Sequence, residues 1–530
     1  MYSLAIYIGI YSYIVLILGI THLLYSTYVI AVSYAYLAAI FIINYRNINI
    51  YFANAKIKNI KLPLIVLLLI IQASINLIGA LGPELSFDAL WYHLTIPKIY
   101  LLNHSLFVIP GNLFYYSGMP KLTELLYIFG LAQNNEIIAK LMHFLFGILT
   151  LIVIYKLSRK FLSKTYSIFS CLIFYSNLVV GWESISAMID LARSFYEVMA
   201  FLSFINYLDS KERKWIIMCG VMLGFAISIK ILALGSVFII IFLLILLKYI
   251  FGKKIIFLKN TFYVLIFSIL IPLPYFLISF LSTNNPFYPF FSNIYPYKIN
   301  ISFFNLLNFV KDLWNIFLYS PDPISPVYII SFPLLIIFYK KLKYKEKIIL
   351  AYSFASLIIW YVTPRTGGGR FLMPYLPVLS VLVMVIINKI KIKNIKNFIL
   401  ICIIFTSIIS IFYRGIANLK YMPVILGYES KDKFLTNNLN FKFGDFYDID
   451  NYFKKNIKKN DKVLIYGGHN LFYVNFPFIH ETYVKKGDEF NYVLTIRHEL
   501  PKRFWYWKLV YKNGITGAML YTLNKEIWTY

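Results

Sequence analysis

Glu84-Leu-Ser-Phe-Asp88-Ala-Leu-Trp-Tyr92-His93 is the stretch around which the rest of the chain is organised. It follows an apolar run at 62–81 that is long enough to cross a bilayer, and a second such run occupies 137–157. The segment between the two runs is aromatic and amphipathic, and it includes Met119-Pro120-Lys121. A connection of this length between two spans is more often functional than structureless.

The composition indicates a membrane protein. Of the 530 residues, 60% are hydrophobic and only 14% are charged, whereas a soluble domain carries about 25% charged residues. Apolar runs of about 20 residues recur along the chain, and in a bilayer such runs must be helical. The sequence therefore predicts a polytopic α-helical membrane protein.

The net charge of +28 does not indicate nucleic-acid binding. The basic residues occur in short clusters between apolar runs, not on one soluble face or in a basic arm. Three cysteines, Cys171, Cys219 and Cys402, fall inside predicted spans without metal-ligand spacing. We therefore expect no nucleic-acid partner, and we expect the cysteines to be buried as small apolar residues.

Apolar runs predict about thirteen spans, at 3–20, 24–44, 61–81, 137–157, 166–182, 187–207, 215–231, 233–250, 261–281, 326–340, 348–363, 371–388 and 397–413. With this count, six connections rich in Lys and Arg all fall on the same side. Because such loops stay in the cytoplasm, we expect a multi-pass protein of the cell membrane with a cytoplasmic N-terminus and an external C-terminus.

The chain changes in character near residue 416, where charge rises and long apolar runs stop. Alternating patterns predict strands at 462–467 and 492–497, and a hairpin of 506–512 with 517–523 around Asn513-Gly514. A short helix is expected at 448–459. Residues 416–530 are therefore predicted to form a small extracytoplasmic α/β domain. Before it, a helix at 301–319 is expected to lie in the membrane interface.

Acidic residues are concentrated at the predicted outer boundary. Eight of the twelve Asp and Glu residues before position 415 map there: Glu84, Asp88, Glu124, Glu136, Glu183, Asp190, Asp312 and Asp322. Acidic residues contribute little to topology, so this distribution needs another cause. We interpret it as marking a reactive site.

Asp88 is the first candidate for catalysis. It lies just beyond a span end among aromatic neighbours, which would desolvate its carboxylate and increase its basicity, as a general base requires. The structural alternative is an acid that caps a helix N-terminus. Glu84, beside Pro83, is either a second polar group of the site or a loop residue. His93 follows Tyr92 and either orients a substrate hydroxyl or serves only the structure.

Four further charged residues are candidates at other outer span ends. Asp190 and Arg193 either face a polar cavity or form an i,i+3 pair that supports the helix end. Lys230 either extends to the interface or binds an anionic headgroup. Arg370, like Arg365, flanks a Gly-rich outer turn, where two guanidinium groups suit a phosphate.

These motifs resemble the GT-C superfamily of membrane glycosyltransferases, especially its protein-mannosyltransferase-like and aminoarabinose-transferase-like branch. Asp88 with Tyr92 is similar to the acid and aromatic of the family's first outer loop, although Ala89 stands where a second acid is usual. Met119-Pro120-Lys121-Leu122 resembles a Lys-Pro-Pro-Leu segment. Gly220–Lys230, Asn285–Pro289 and Arg370-Phe-Leu-Met-Pro-Tyr-Leu-Pro377 also match segments of those proteins in order.

The resemblance implies an enzyme that moves a sugar from a polyprenyl-phosphate donor to an acceptor hydroxyl on a glycan, lipid or protein. Together with the candidates weighed above, we predict catalytic roles for Asp88 and Asp190, and substrate binding by a larger set: Glu84, Tyr92, His93, Lys121, Arg193, Lys230, Arg365 and Arg370. A divalent metal between the two aspartates stays open, but no residue cluster has metal-ligand spacing, so no metal site is predicted.

The resemblance also divides the chain. Residues 1–60 would be two additional N-terminal helices, 61–415 a GT-C-like core with outer loops at 82–136 and 282–325, and 416–530 the external domain. A lipid or solute transporter is the alternative function. It would need charges at mid-membrane and a repeat relating two halves, and the sequence shows neither. A non-catalytic scaffold would leave the outer acids unexplained.

Overall fold

The computed structural model describes residues 1–53, 63–251, 254–294, 306–320, 323–363, 368–524 and 526–530. The helices up to residue 210 are α1 Tyr2–Ile20, α2 Ser26–Ala53, α3 Leu64–Leu81, α4 Thr95–Leu102, α5 Leu122–Ala132, α6 Glu136–Ser158, α7 Lys164–Tyr175, α8 Leu178–Glu183 and α9 Asp190–Ser210.

The later helices are α10 Arg213–Ile229, α11 Leu234–Phe251, α12 Lys254–Leu270, α13 Leu273–Thr283, α14 Leu306–Leu318, α15 Val327–Phe338, α16 Tyr344–Val362, α17 Leu376–Asn388, α18 Lys393–Leu419, α19 Met422–Ile425, α20 Lys431–Asn438 and α21 Tyr452–Asn456. Helix α14 falls within the predicted interfacial helix, of which residues 301–305 lie outside the described residues.

Six of the described helices are long and apolar enough to cross a membrane: Tyr2–Ile20, Ser26–Tyr45, Leu64–Leu81, Glu136–Ser158, Ile231–Tyr249 and Lys393–Leu419. A pair bent by 52°, Phe257–Leu270 with Leu273–Thr283, would make a seventh. Each of the thirteen predicted spans contains a helix, but the count of thirteen spans is not confirmed. Helix α9 carries charged residues along its length, α16 carries three in its first turn, and α7 and α15 have only 12 residues each.

Helix α9 is the centre of the helical part, because nearly all of its residues are buried, charged ones included. Its neighbours α6 and α10 pack against it, and α1 is tied to it by the Tyr196 hydroxyl, which donates to the Ala5 carbonyl at 2.8 Å. The Ser12 hydroxyl of α1 donates to the Leu122 carbonyl at 2.9 Å. The first helix is therefore part of the same packed body.

The C-terminal part contains a mixed five-stranded sheet in the order β2-β1-β4-β6-β5, formed by β1 Val463–Gly467, β2 Phe478–His480, β4 Tyr492–Ile496, β5 Lys508–Lys512 and β6 Ala518–Thr522. Strands β1, β2 and β4 are parallel, and β4, β6 and β5 are antiparallel. Strands β3 Glu489–Phe490 and β7 Trp528–Thr529 form a separate pair. The predicted strands and hairpin are confirmed, and the predicted helix is shorter than expected.

The sheet part is fastened to the segment after α3 by buried polar contacts. The Lys98 ammonium of α4 donates to the carbonyls of Phe472 and Val474 at 2.7 and 2.6 Å. The Tyr473 hydroxyl donates to the Glu84 carbonyl at 2.9 Å. Burial lowers the pKa of Lys98 to about 8, so the ammonium keeps its proton at neutral pH and remains a strong donor.

Replacement of Lys98 by Met should loosen this attachment, because two carbonyls lose a charged donor and stay buried. Hydrogen bonds to charged groups are worth about 2 kcal/mol. We expect amide exchange in 471–476 to accelerate by roughly thirtyfold, measured by hydrogen–deuterium exchange mass spectrometry. The exposed Lys459→Met is the control. Equal exchange in both variants would show that Lys98 does not hold the sheet part in place.

Candidate active site

Asp88 is held at the entrance to a short π-helical turn, Ala89–His93. The Leu94 amide donates to the Ala89 carbonyl at 2.9 Å, which closes the wide turn. Within this turn the Tyr92 hydroxyl donates to Asp88 Oδ2 at 2.9 Å. Single π-turns occur frequently at functional sites, because the extra residue redirects side chains. Here the turn orients an aspartate carboxylate.

Arg370 connects Asp88 to a second acid that is distant in sequence. Its Nη1 donates to Asp88 Oδ2, and its Nε donates to Asp190 Oδ2 at 2.7 Å. Arg370 lies in a single 3₁₀ turn, Gly369–Phe371, that follows the Gly-rich segment. Asp190 is the first residue of α9 and is fully buried. One guanidinium group therefore fixes both predicted catalytic acids.

Lys230 completes the cluster from the other side of Asp190. Its Nζ donates to Asp190 Oδ1 at 2.8 Å and lies 5.0 Å from the centre of the Phe371 ring. Lys230 occupies the break between α10 and a 3₁₀ turn at Ile231–Ala233, where the backbone becomes extended. The lysine therefore binds a carboxylate inside the protein and does not extend to the interface.

The electrostatics of Asp88 differ from the prediction. Burial acts to raise the pKa of Asp88, as expected, but the charge and hydrogen bond of Arg370 outweigh it and hold the pKa below its usual value. The carboxylates in turn hold the pKa of Arg370 well above its usual value. In this state Asp88 is a stabilised anion and hence a weak base.

Glu183, which the sequence indicated only as one of the outer acids, belongs to this cluster. It ends α8, and its Oε1 lies 3.2 Å from Arg370 Nε. Burial and the nearby Asp190 charge hold the pKa of Glu183 well above its usual value. A neutral Glu183 leaves two anions, Asp88 and Asp190, facing two cations, Arg370 and Lys230.

Glu84 and Lys121, two of the predicted substrate-binding residues, are instead engaged with the backbone. Glu84 Oε1 accepts from the amides of Leu85 and Ser86 at 2.9 and 2.8 Å, and Oε2 accepts from the Ala187 amide at 2.6 Å. Lys121 donates to the carbonyls of Ser117 and Met119. Both side chains organise loops next to the site, and neither joins the Asp88–Asp190 cluster.

His93 and Arg193 are paired with acids of their own. His93 Nδ1 lies 2.9 Å from Glu124 Oε1, and both side chains are buried. Arg193 Nε donates to Glu197 Oε1 at 2.6 Å, one turn further along α9, so the predicted pairing of Arg193 with Asp190 does not form. Arg365 lies outside the described residues.

A divalent metal between the two aspartates does not fit the arrangement found. The space that joins them is taken by the Arg370 guanidinium, a cation that would repel a metal ion. Over the described ranges, no group of three or more His, Cys, Asp or Glu residues is placed to hold a metal. The charges of the two aspartates are balanced by the side chains of Arg370 and Lys230.

The chain is similar to a known protein family and to solved membrane-protein structures. A family model described as dolichyl-phosphate-mannose-protein mannosyltransferase matches residues 125–273, a range that includes Glu183, Asp190 and Lys230. Crystal structures of ArnT from Cupriavidus metallidurans are similar over 86% of this chain and 97% of theirs. The apo state has a TM-score of 0.58 at 11% identity, and the state bound to undecaprenyl phosphate has 0.55 at 13%.

The chain has the GT-C fold. The apo oligosaccharyltransferase of Archaeoglobus fulgidus is also similar, with a TM-score of 0.50 at 12% identity over 82% of this chain and 70% of that one. The GT-C-like fold that the sequence motifs implied is therefore confirmed. No curated protein sequence matches the chain. In this fold, Asp88 after α3 meets Arg370, which lies 282 residues later in the chain.

Replacement of Glu84 by Gln tests its structural role. An amide offers one acceptor oxygen and would turn its NH₂ toward a backbone donor, so we expect a loss of about 1–3 kcal/mol and a lower thermal midpoint in detergent. The exposed Glu212→Gln should leave the midpoint unchanged. An unaltered midpoint for Glu84→Gln would contradict the assigned role.

Proposed function

We propose that the chain is a membrane glycosyltransferase that uses a polyprenyl-phosphate-linked sugar and transfers it, with inversion, to an acceptor hydroxyl outside the cytoplasm. The observation that supports it is the Asp88–Arg370–Asp190–Lys230 cluster within a GT-C fold. The bound undecaprenyl phosphate of the ArnT crystal structure supports a lipid-phosphate donor.

In the proposed reaction, the acceptor hydroxyl attacks the anomeric carbon of the donor sugar as Asp88 takes the hydroxyl proton. The bond between the anomeric carbon and the phosphate oxygen breaks, and its electron pair leaves with polyprenyl phosphate. Attack from the face opposite the leaving group inverts the anomeric centre. Asp190 would orient Arg370 and Lys230, since it binds both.

The phosphate gains negative charge as the bond breaks, and cations already in place stabilise that charge most effectively. Arg370 and Lys230 are the two cations of the cluster. Arg370 suits the role because its planar fork can bind two phosphate oxygens at once. Arg193 is buried and paired with Glu197, so it is not available to bind the phosphate directly.

The donor phosphate would also activate the base. In the structure, Arg370 holds Asp88 as a weakly basic anion. A phosphate that draws Arg370 away would remove the main stabilising charge while burial persists, and the pKa of Asp88 would rise. Asp88 would therefore become an effective base only when the donor is present.

The sidedness of the reaction rests on the basic loops of the sequence. With the thirteen predicted spans, the six connections rich in Lys and Arg favour a cytoplasmic N-terminus and an external sheet part. The cluster lies where α3 and α10 end and where α9 and α17 begin, and the predicted orientation puts these helix ends outside. A polyprenyl-linked donor suits that side, where nucleotide sugars are not expected.

Asp88→Asn should be expressed and folded but should lose about 10²–10⁴ of turnover, because an amide cannot accept the hydroxyl proton. The assay uses purified protein in lipid with a panel of radiolabelled polyprenyl-phosphate sugars and a crude envelope acceptor, and follows release of polyprenyl phosphate. Asp450→Asn, an exposed aspartate of the sheet part, is the matched control. Near-normal turnover of Asp88→Asn would refute the base assignment.

Arg370→Gln should change the pH dependence of turnover as well as its rate. With Arg370 present, the acid limb of kcat/KM lies at or below the usual Asp range of about pH 4. Without its charge, burial raises the pKa of Asp88, so the acid limb moves to higher pH. Arg213→Gln, an exposed arginine stacked on Tyr263, serves as control. An acid limb at the same pH in Arg370→Gln and wild type would contradict the electrostatic account.

A further inference from the structure

An open cleft of about 450 Å³, called the cavity below, lies between the segment that precedes Asp88 and the C-terminal part of the chain. Leu85 and Phe87 form one wall, and Asn440, Phe443 and Asp445 form the other. Phe87 is the immediate sequence neighbour of Asp88. Its volume is in the range of small-molecule sites. None of its lining residues has a role in the proposed reaction.

The wall formed by 440–445 is a rigid turn. Asp445 Oδ2 accepts from the Asn440 amide at 2.6 Å, which closes the turn on itself. Gly444 adopts a φ of +92°, a conformation that favours glycine. Its carbonyl accepts from the amides of His469 and Asn470, both at 3.2 Å. The turn is thus fixed to the loop after β1.

This rigid turn presents an aromatic ring that the fold does not bury. Phe443 is 70% exposed, and Phe87 across the cavity is 39% exposed. By contrast, the flanking Phe441 and Phe446 are buried. Two exposed aromatic rings that line the same cleft offer an apolar surface to a ligand.

The polar groups of the cavity are hydrogen-bond acceptors with capacity to spare. The Asp445 carboxylate receives one bond on each oxygen, from the Asn440 amide and from Asn470 Nδ2, whereas a carboxylate can accept about four. The Asp445 carboxylate can therefore accept further hydrogen bonds, and hydroxyl groups can donate them.

We propose that this cavity binds a pyranose ring of the acceptor, so that the acceptor is a glycan. This inference rests on the proposed transferase function for its role in the reaction. The weakly polar C–H face of a sugar packs on aromatic rings such as Phe443 and Phe87, and its hydroxyls donate to the Asp445 carboxylate. A lipid chain would satisfy the rings but would leave Asp445 facing hydrocarbon, at a high desolvation cost.

The test measures sugar binding directly by saturation-transfer NMR, with full-length protein in lipid nanodiscs and a panel of methyl pyranosides. Wild type should give saturable transfer with at least one sugar. Phe443→Ala should weaken binding about tenfold, the equivalent of losing one stacked ring, and Phe443→Trp should retain it. Trp505→Ala removes an equally exposed aromatic of the same part of the chain and should bind like wild type.

The inference is overturned if no pyranoside binds, or if Phe443→Ala binds as wild type does. It is also overturned if a fluorinated alkyl probe, and not a sugar, gives transfer that Phe443→Ala abolishes. The readout needs no turnover, so it is separate from the fate of the proposed function. Asp88→Asn should bind the sugar as wild type does. If that variant also had normal turnover, the assignment of Asp88 as the base would be refuted, but the assignment of the sugar site would not.

Discussion

The ion pairs of Arg370 are the contacts on which the site depends. A single, largely buried guanidinium holds Asp88 after α3 and Asp190 at the start of α9, and Lys230 binds the second oxygen of Asp190. Two anions and two cations can share a buried site because each charge has a partner. Removal of Arg370 would leave two carboxylates together without their main neutralising charge.

The fold brings these groups together by ending helices at the same place. Asp88 enters a π-turn after α3, Asp190 begins α9, Lys230 follows α10 and Arg370 precedes α17. Side chains that form hydrogen bonds with backbone groups hold the segments around these helix ends in place. Glu84 holds the segment before Asp88 against Ala187, and Lys98 holds the sheet part above it. Reactive groups on short turns are thereby supported by rigid helices.

The sequence indicated which residues form the site, but not which of them pair with each other. Asp88, Asp190, Lys230 and Arg370 stand out because charges at span ends are costly and need a reason. That Arg370 lies between the two acids could not be inferred, since pairing across almost 300 residues depends on how helices pack. In the sequence, Glu84 and Lys121 resembled residues that bind a substrate. In the structure, their side chains form hydrogen bonds with nearby backbone groups. Desolvation of Asp88 was expected correctly, whereas the stronger opposing effect of Arg370 was not.

The most direct test of the account is a cryo-electron microscopy structure of the protein with polyprenyl phosphate bound. We expect the phosphate to lie within hydrogen-bond distance of Arg370 and Lys230, and the ion pair between Arg370 and Asp88 to be broken, which leaves Asp88 free to act as a base. A phosphate bound elsewhere, with the Arg370–Asp88 pair intact, would contradict the claim that the donor activates the base through Arg370.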